Sequence, residues 1–420
     1  MPSLSDKLKA LGVKVGAQNI APPPRQTPAA SPAPILEQAL SAHRLETPLG
    51  ETYLVEKRYP ADYRHGQLGL LASSPLQVLA NWAGDRRISD FSPQSFAFLD
   101  TETTGLMGGA GTYAFLIGAG RFEGDEFHLA QFFMQDPLEE PAQLTALEQF
   151  LAPCQALVTF NGKAFDVPIL NARYVTHGWR PPYSGTAHVD LLHLARRLWR
   201  DRLPSRTLGN LEVQILGTER SEDDVPGWMI PSLYFQYLRD RDPAPLRSVF
   251  YHNAMDVVSL AALFNHVSSL LADPFGASLE HGVDVVALAK LFEDLGDLDA
   301  ATRLYIHALD HEEFRLQQLP LPSLLEAISR LAAIHKRQDN FPAAVQLWEQ
   351  AARHNHIEAH IELAKFYEHR LRDIPAALEW TQSAIVLLDG PGFSTFERRQ
   401  WLSELHHRRD RLNLKNKNGS

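Results

Sequence analysis

Two carboxylates placed two residues apart are the first feature of this sequence that could do chemistry. The segment FLDTETTGL, residues 98–106, puts Asp100 and Glu102 at the end of an apolar run that predicts a β-strand. Side chains in a strand alternate between its two faces, so these two carboxylates face the same way. The plainer interpretation is a solvated strand end. A functional site requires further acids to join the pair.

Two further acids lie at the edges of apolar elements. TFNGKAFDVPIL places Asp166 just after a strand, in the first turn of a helix, and YHNAMDVVSL places Asp256 within a long helix. Mg²⁺ and Mn²⁺ prefer oxygen ligands, and a pair of such ions activates water and stabilises the leaving oxygen of a phosphodiester. Taken singly, Asp166 suits a helix N-terminus and Asp256 an ordinary polar helix position. In combination and in this order, the four acids predict a metal site.

These three acidic motifs resemble the exonuclease motifs of the DEDD 3′–5′ exonuclease superfamily, whose members have a ribonuclease H-like fold. The stretch 45–270 is similar, more specifically, to the YprB-type ribonuclease H-like family. Beyond the motifs, the similarity is carried by DYRHG, GTYAFLIG, VDLLHLARRLWR, TLGNLEVQILG and DVPGWMIPSLYFQYL. The resemblance implies nuclease activity, which in that family is itself a prediction with a poorly defined substrate.

The resemblance also implies roles for single residues. The implied ligands of two Mg²⁺ or Mn²⁺ ions are Asp100, Glu102, Asp166 and Asp256. The residues implied to wedge under the terminal nucleotide are Thr103, Gly105 and Leu106. Asn161 begins the second motif and would support Asp166 or the nucleotide. Lys163 lies inside that motif as a candidate phosphate contact, and a solvated surface lysine is the alternative.

The general base is where this sequence departs from the superfamily pattern. That pattern places a Tyr four residues, or a His five residues, before the last aspartate. Here His252 is four residues before Asp256 and Tyr251 is five before it. Positions i and i+4 share a helix face, whereas i and i+5 do not. Because imidazole also titrates near neutrality, His252 is the expected base, and Tyr251, otherwise a core aromatic, is the alternative.

Basic residues cluster between 161 and 210, where eight Lys and Arg residues stand against three Asp residues. The run ARRLWRDRLPSR, residues 195–206, either lines a groove for phosphates, which arginine forks bind well, or forms a solvated helix face. Asp190, just before this helix, is expected as its N-cap, with a supporting role in the site as the alternative.

The elements that must position these residues predict an α/β fold, with a ribonuclease H-like mixed sheet flanked by helices. Strand-like runs separated by turn residues favour antiparallel neighbours, and helices then alternate with a further strand. Residues 17–34 are rich in Pro, Ala and Ser and predict disorder. The predicted boundaries are 1–34 for a disordered segment, 35–93 for a lead-in packed on the nuclease domain, 94–272 for that domain and 280–410 for helical repeats.

The repeats are predicted from paired alanines in three similar helical stretches. The pairs fall at 300–301, 343–344 and 376–377, which are spacings of 43 and 33 residues. The second spacing is close to the ~34-residue tetratricopeptide period, and an insertion accounts for the first. Small residues suit the place where the two helices of a hairpin approach each other. A stack of such hairpins offers a concave surface to a protein partner.

Composition limits the class of protein. The chain of 420 residues is 45% hydrophobic and 21% charged, which is ordinary for a globular protein. The net charge of −10 excludes a uniformly basic nucleic-acid coat. Cys154 is the single cysteine, so neither an internal disulfide nor a CxxC site is available. With no secretory signal core and no apolar run of about 20 residues, we expect a cytoplasmic protein without membrane association.

Together these observations predict a metal-dependent nuclease, expected to be a 3′–5′ exonuclease on DNA or RNA, with a protein partner bound by its repeats. Two alternatives stay open. One is a scaffold that holds nucleic acid or protein without cutting, and the other is an endonuclease on the same fold. The sequence does not distinguish DNA from RNA or single from double strands.

Overall fold

The computed structural model describes residues 36–105, 111–276, 279–310, 319–390 and 393–418. The predicted disordered segment 1–34 and Leu106 lie outside the described residues.

A mixed sheet forms the centre of the N-terminal part of the chain. The described strands are β1 (His43–Thr47), β2 (Gly50–Tyr59), β3 (Arg64–His65), β4 (Leu68–Gly69), β5 (Phe96–Thr103), β6 (Ala114–Glu123), β7 (Glu126–Phe133), β8 (Ala156–Thr159) and β9 (Ala187–Asp190). Seven of these pair in the order β1-β2-β7-β6-β5-β8-β9, and β3 and β4 form a separate short hairpin. Along this order, each neighbouring pair among β1, β2, β7, β6 and β5 is antiparallel. β8 and β9 run parallel to β5.

Neither the pairing of the lead-in segment with the central sheet nor the strand β9 was foreseen from the sequence. β1 and β2 come from the segment 35–93, so this lead-in supplies the outer edge of the sheet itself. β9 has four residues, of which His188 and Asp190 are polar, and so it lacks the apolar run that marks a buried strand. Its pairing with β8 sets Asp190 beside Thr159, and these two residues are the last of their strands.

Helices cover both faces of the sheet. The described helices of this part are α1 (Leu36–Leu40), α2 (Gln77–Ala83), α3 (Glu140–Leu151), α4 (Asp166–Thr176), α5 (Leu191–Trp199), α6 (Leu208–Leu211), α7 (Ile230–Asp240) and α8 (Leu246–Ala272). Alternation along β5 divides the core, because Phe96 and Phe98 pack with α2, α5 and α8, whereas Ala97 and Leu99 pack with α3 and α4. The predicted arrangement of a mixed sheet between helices is confirmed.

The helix α8 is the central support of one face. By length and composition it could cross a membrane, but 67% of its most apolar window is buried inside the fold, as in a core helix. Fully buried residues on it include Val257, Leu263 and Phe264, and Phe264 packs on Phe96 and Phe98 of β5. This packing fixes α8 against the strand that carries the first two acids.

The described residues from 282 onward are mainly helical, as expected. The described helices are α9 (Gly282–Asp294), α10 (Leu298–Asp310), α11 (Leu321–Arg337), α12 (Phe341–Ala352), α13 (Ile357–Phe366), α14 (Ile374–Asp389) and α15 (Thr395–Asn418). Successive helices pack on one another as hairpins. The second alanine of each predicted pair, Ala301, Ala344 and Ala377, is fully buried at the start of α10, α12 and α14. Their small side chains allow these helices to approach their neighbours closely.

The helical region is docked on the sheet domain through α5 and α9. Leu194 and Leu198 of α5 belong to the same apolar core as Leu288 and Leu291 of α9. Arg197 and Arg202, which the sequence placed in a phosphate groove or on a solvated face, form ion pairs here with Asp294 and Asp284.

The other arginines of the run 195–206 have varied surroundings. Arg206 donates to the carbonyls of Leu203 and Pro204, Arg200 pairs with its neighbour Asp201, and Arg196 is exposed. The run is therefore partly a docking surface between the two regions of the chain.

Removing Arg202 should destabilise the protein. Arg202 Nε lies 2.9 Å from Asp284 Oδ2, and the carboxylate is buried, so Arg202→Met should cost about 2–3 kcal/mol of unfolding free energy. Arg197→Met is the matched control, because the Asp294 side chain is 59% exposed, and it should cost less than about 1 kcal/mol. Urea unfolding followed by circular dichroism measures both. Equal losses of unfolding free energy in the two variants would contradict the expectation that the buried ion pair contributes more than the exposed one.

The cost of Arg202→Met should also depend on pH. Burial raises the pKa of Asp284 to about 7, and Arg202 opposes the rise. A raised pKa in the folded state means that stability falls as pH rises toward that pKa. Without Arg202 the pKa rises further and the fall continues above pH 7, so the difference between variant and wild type should grow from pH 6 to pH 9.

Candidate active site

The first two acids lie where β5 extends beyond its parallel neighbour. β5 pairs with β8 as far as Phe98, and Asp100 and Glu102 follow beyond that last pair. They continue the face of Phe98, which is the face covered by α8. The alternate residue, Thr101, points to the other face and donates its hydroxyl to Asp166 Oδ1 at 2.5 Å. One face of β5 therefore carries Asp100 and Glu102, and the opposite face holds Asp166 through the hydroxyl of Thr101.

Asn253 of α8 fixes the position of Asp100. Its Nδ2 donates to Asp100 Oδ2 at 2.9 Å, and its Oδ1 accepts from Gln131 Nε2 at 2.9 Å. Asn253 is fully buried, so these bonds satisfy an amide that has no access to water. Gly118 leaves the room for it, since a Cβ there would lie 2.2 Å from Asn253 Oδ1. Sequence reasoning overlooked this asparagine, although it stands inside the YHNAMD motif.

His252 and Asp256 face the same space, one helical turn apart. His252 Nε2 lies 3.6 Å from Asp256 Oδ2. Glu102, His252 and Asp256 each offer a ligand atom within 4.8 Å of the other two, and no other such group of His, Cys or acidic residues occurs in the described ranges. The i and i+4 spacing thus places His252 beside the acids.

Tyr251 is directed elsewhere. Its phenol oxygen accepts a hydrogen bond from the backbone N–H of Ser221 at 2.9 Å. It lines a separate surface pocket together with Asp223 and Arg247. The residue that the sequence offered as the alternative base therefore anchors the 221–224 loop.

Asp224, on that loop, orients the imidazole of His252. Asp224 Oδ1 lies 2.8 Å from His252 Nδ1, and Arg220 Nη1 lies 3.1 Å from the same nitrogen. When Nδ1–H donates to the carboxylate, the lone pair of Nε2 is directed toward Asp256. Neither Asp224 nor Arg220 was identified from the sequence, because loop residues carry no periodic signal that places them near a helix.

The four acids of the cluster disfavour one another's ionisation. Burial raises the pKa of Asp100 well above its ordinary value, and the other three carboxylates raise it further. Burial and then Asp256 raise the pKa of Glu102 well above normal in the same way. Burial raises the pKa of Asp166 to about 6, against the Thr101 hydroxyl, which lowers it. The oxygen-rich and crowded donor set fits hard divalent cations, whose charge would offset this repulsion.

Arg220 connects the cluster to a second buried acid. Its Nε and Nη2 donate to the two oxygens of Glu212 at 2.7 and 2.6 Å, and Nη2 also contacts Asp256 Oδ1. Glu212 accepts in addition from the Ser259 hydroxyl at 2.6 Å, which lies 2.8 Å from His65 Nε2. The DYRHG and TLGNLEVQILG segments, which carried only a family resemblance, thus supply His65 and Glu212 to this network.

The turn of the second motif is held by Asp190. Its carboxylate accepts from the backbone N–H groups of Asn161 at 2.8 Å, Lys163 at 3.0 Å and Leu192 at 3.1 Å. It is therefore both the N-cap of α5 and the support of the turn. Asn161 has a φ of 65°, and a Cβ at Gly162 would lie 2.5 Å from Thr159 Cβ, so the Asn-Gly pair suits this tight turn. The side chains of Asn161 and Lys163 are exposed beside the cluster.

The first motif continues past the acids into a loop. The Thr103 hydroxyl donates to the carbonyl of Gly105 at 2.9 Å, and Thr104 pairs through its backbone N–H with the carbonyl of Tyr113. Thr103 itself is buried, so its side chain shapes the loop from beneath. The third expected nucleotide contact, Leu106, lies outside the described residues.

A cavity of about 590 Å³ opens beside the helix side of the cluster. Its polar wall includes Glu212, Arg220, Asp224, His252 and Asp256. Apolar residues complete the lining, among them Leu208, Val213, Val225 and Pro226. The cluster is thus open to a ligand from this direction.

Comparisons with known proteins identify the family of this chain. Residues 97–268 match the family model of the RNase_H superfamily. The uncharacterized protein YprB of Bacillus subtilis (strain 168) is 34% identical over 340 residues, which cover 79% of each chain. The chain belongs to the YprB family. The resemblance to the YprB-type ribonuclease H-like family is confirmed, and the fold is the ribonuclease H-like fold that it implied.

Part of the chain is also similar to a solved structure, the family B DNA polymerase from the hyperthermophilic archaeon Pyrobaculum calidifontis. It is 16% identical, with a TM-score of 0.32, and the alignment covers 58% of this chain and 29% of the polymerase. This likeness is too distant to bear on function.

Asp100→Asn should separate the destabilising repulsion within the cluster from the ability of the cluster to bind metal ions. Removing one of four repelling charges should raise the stability of the metal-free protein by about 1 kcal/mol. The same change should abolish most of the rise in melting temperature that millimolar Mn²⁺ gives the wild type, since a ligand is lost. Thermal unfolding with and without Mn²⁺ measures both effects.

The matched control is Asp125→Asn in the β6–β7 turn, where the carboxylate is exposed and outside the cluster. It should change neither the stability of the metal-free protein nor its response to Mn²⁺. A rise in melting temperature with Mn²⁺ that persists in Asp100→Asn would show that the ions bind elsewhere.

Proposed function

We propose that the protein is a metal-dependent nuclease, and more specifically a 3′–5′ exonuclease that hydrolyses the terminal phosphodiester of a nucleic acid. The observation that carries the proposal is the cluster of Glu102 from β5 with His252 and Asp256 from α8, of which His252 and Asp256 line an open cavity. Asp100 and Asp166 lie close enough to interact electrostatically with this cluster. The ribonuclease H-like fold and membership of the YprB family support hydrolysis of nucleic acid as the reaction class.

In this proposal Asp100, Glu102, Asp166 and Asp256 hold two divalent ions, Mg²⁺ or Mn²⁺. Such ions would supply an activated water and charge stabilisation for the leaving oxygen. Asn253 keeps the Asp100 carboxylate turned toward the cluster through its 2.9 Å bond. Thr101 does the same for Asp166. The protein's own contribution is thus a rigid set of oxygen ligands at the end of a strand.

His252 is the proposed general base. Its Nδ1 is held by Asp224 at 2.8 Å, which leaves Nε2 to accept a proton in the space shared with Glu102 and Asp256. Asn161 and Lys163 are the proposed contacts to the substrate on the other side, because their side chains are exposed on the turn before Asp166. Lys163 would pair with a phosphate and Asn161 would hydrogen-bond the nucleotide.

The helical region is the proposed docking site for a protein partner. Its hairpins stack in sequence, and α14 and α15 present exposed apolar side chains such as Val386 and Leu414. Surfaces of this kind in stacked helical hairpins bind extended or helical protein segments.

Activity should depend on the first two acids. Purified protein with Mn²⁺ should release nucleoside monophosphates from labelled DNA or RNA, and Asp100→Ala/Glu102→Ala should reduce the rate by at least about a thousandfold. Internal products in place of terminal ones would favour an endonuclease. The scaffold alternative predicts no Mn²⁺-dependent cleavage and no difference between the double variant and the wild type.

His252→Gln and Tyr251→Phe form a matched pair of tests for the general base. His252→Gln should lower kcat by about a hundredfold to ten-thousandfold, the usual contribution of a general base. Tyr251→Phe should change kcat by less than about threefold, because the phenol only anchors Ser221. His252→Gln should also retain the stabilisation by Mn²⁺. A loss of that stabilisation would make His252 a metal ligand and contradict its role as base.

A further inference from the structure

An exposed tryptophan directly follows a residue that lines the cavity, and it has no role in the cluster of acids. Trp228 lies on the 3₁₀ turn Gly227–Met229, and 75% of its surface is exposed. Gly227, the residue before it, lines the cavity, and a Cβ at this position would lie 3.8 Å from His252 Nε2. A large indole left in water beside a candidate active site suggests that a ligand covers it.

A second apolar side chain is exposed at the same cavity. Val213 lines the cavity from the π-helical turn Glu212–Leu216 and is 43% exposed. A π-turn bulges out of the regular helix, and such turns are frequent at functional sites. Val225 and Pro226 lie on the opposite segment of the lining. The cavity therefore has an acidic floor and an apolar edge.

Charge limits what can bind there. The floor carries the carboxylates of Glu212, Asp224 and Asp256, and the cation among its lining residues, Arg220, is already paired with all three. A phosphate is therefore repelled except where divalent ions neutralise the acids. The apolar edge suits a flat, uncharged group attached to that phosphate, and the base of a nucleotide is such a group.

Stacking on an indole also separates unpaired from paired nucleotides. In a duplex the faces of each internal base are covered by stacking, and its edge is occupied by its partner. An indole beside the scissile phosphate can insert against the face of a base only when that base is unpaired. Aromatic side chains beside a backbone-binding groove are the common device of proteins that bind single strands without sequence preference.

We propose that Trp228, with Val213, stacks the base of an unpaired nucleotide next to the scissile phosphate, so that the substrate is a single-stranded end of nucleic acid. This inference rests on the proposed nuclease function, which it deepens by naming the substrate class. Trp228 acts here as a binding residue.

Binding to the full-length protein tests the inference without requiring cleavage. The probe is a fluorescently labelled single-stranded oligonucleotide, with a blunt duplex of the same sequence as the comparison, and Ca²⁺ replaces Mn²⁺. Wild type should bind the single strand at least about tenfold more tightly than the duplex. Trp228→Ala should weaken single-strand binding about tenfold, the loss of one stacked base, whereas Trp228→Phe should retain most of the affinity.

Phe396→Ala is the matched control, because Phe396 is an aromatic residue of α15 that is 77% exposed. It should leave binding unchanged. Intrinsic tryptophan fluorescence provides a second readout, since the single strand should quench wild type more than Trp228→Phe. A merely destabilised variant would not remove this quenching selectively.

The outcomes distinguish this inference from the proposed function. Equal single-strand affinity of wild type and Trp228→Ala, or equal affinity of wild type for the duplex, would overturn the stacking role and leave Trp228 as a surface for a protein. Cleavage in Mn²⁺ that is insensitive to Trp228→Ala would overturn this inference alone. Tryptophan-dependent binding without cleavage in Mn²⁺ would support the base site while contradicting the nuclease proposal.

Discussion

Mutual repulsion of four carboxylates is the constraint on which the arrangement of this domain depends. Burial and the neighbouring acids raise the pKa values of Asp100 and Glu102 well above normal. Such a cluster is held only if the backbone that carries it is rigid. Rigidity comes from the aromatic packing of α8 on β5, where Phe264 contacts Phe96 and Phe98, and from Asn253, which is locked between Gln131 and Asp100. The polar site is thus supported by the apolar core directly beneath it.

Elements with a strong period were predictable from the sequence. The alternation along β5 gives the common face of Asp100 and Glu102, and the 3.6-residue period of α8 brings His252 beside Asp256. Each inference needed only the local geometry of one element. The convergence of separate elements came from a family resemblance, since spacing along the chain does not say which helix covers which strand.

Elements without periodicity were missed. β9 is four residues long and half polar, so its identity as a strand depends on pairing with β8. Arg220 and Asp224 lie in a connecting segment. Their roles depend on tertiary contacts with His252 and Asp256 of α8 and with Glu212 of the π-turn. Two arginines of the run 195–206, Arg197 and Arg202, gave a misleading signal, because residues that dock on a second region carry charges that resemble a phosphate groove.

Arg220 bears on whether the domain is an enzyme or a scaffold. Its guanidinium gives two hydrogen bonds to Glu212 and one ion pair to Asp256, and within the described ranges no salt bridge reaches Asp100, Glu102 or Asp166. One cation therefore leaves Asp100, Glu102 and Asp166 without an ion pair among the described residues, although Asn253 and Thr101 donate hydrogen bonds to Asp100 and Asp166. In a scaffold, amide side chains of the same shape would make the same hydrogen bonds and relieve the repulsion. Divalent ions bound by the carboxylates would neutralise their repulsion and so explain why this fold keeps them. Such ions are also required for hydrolysing a phosphodiester at this cavity.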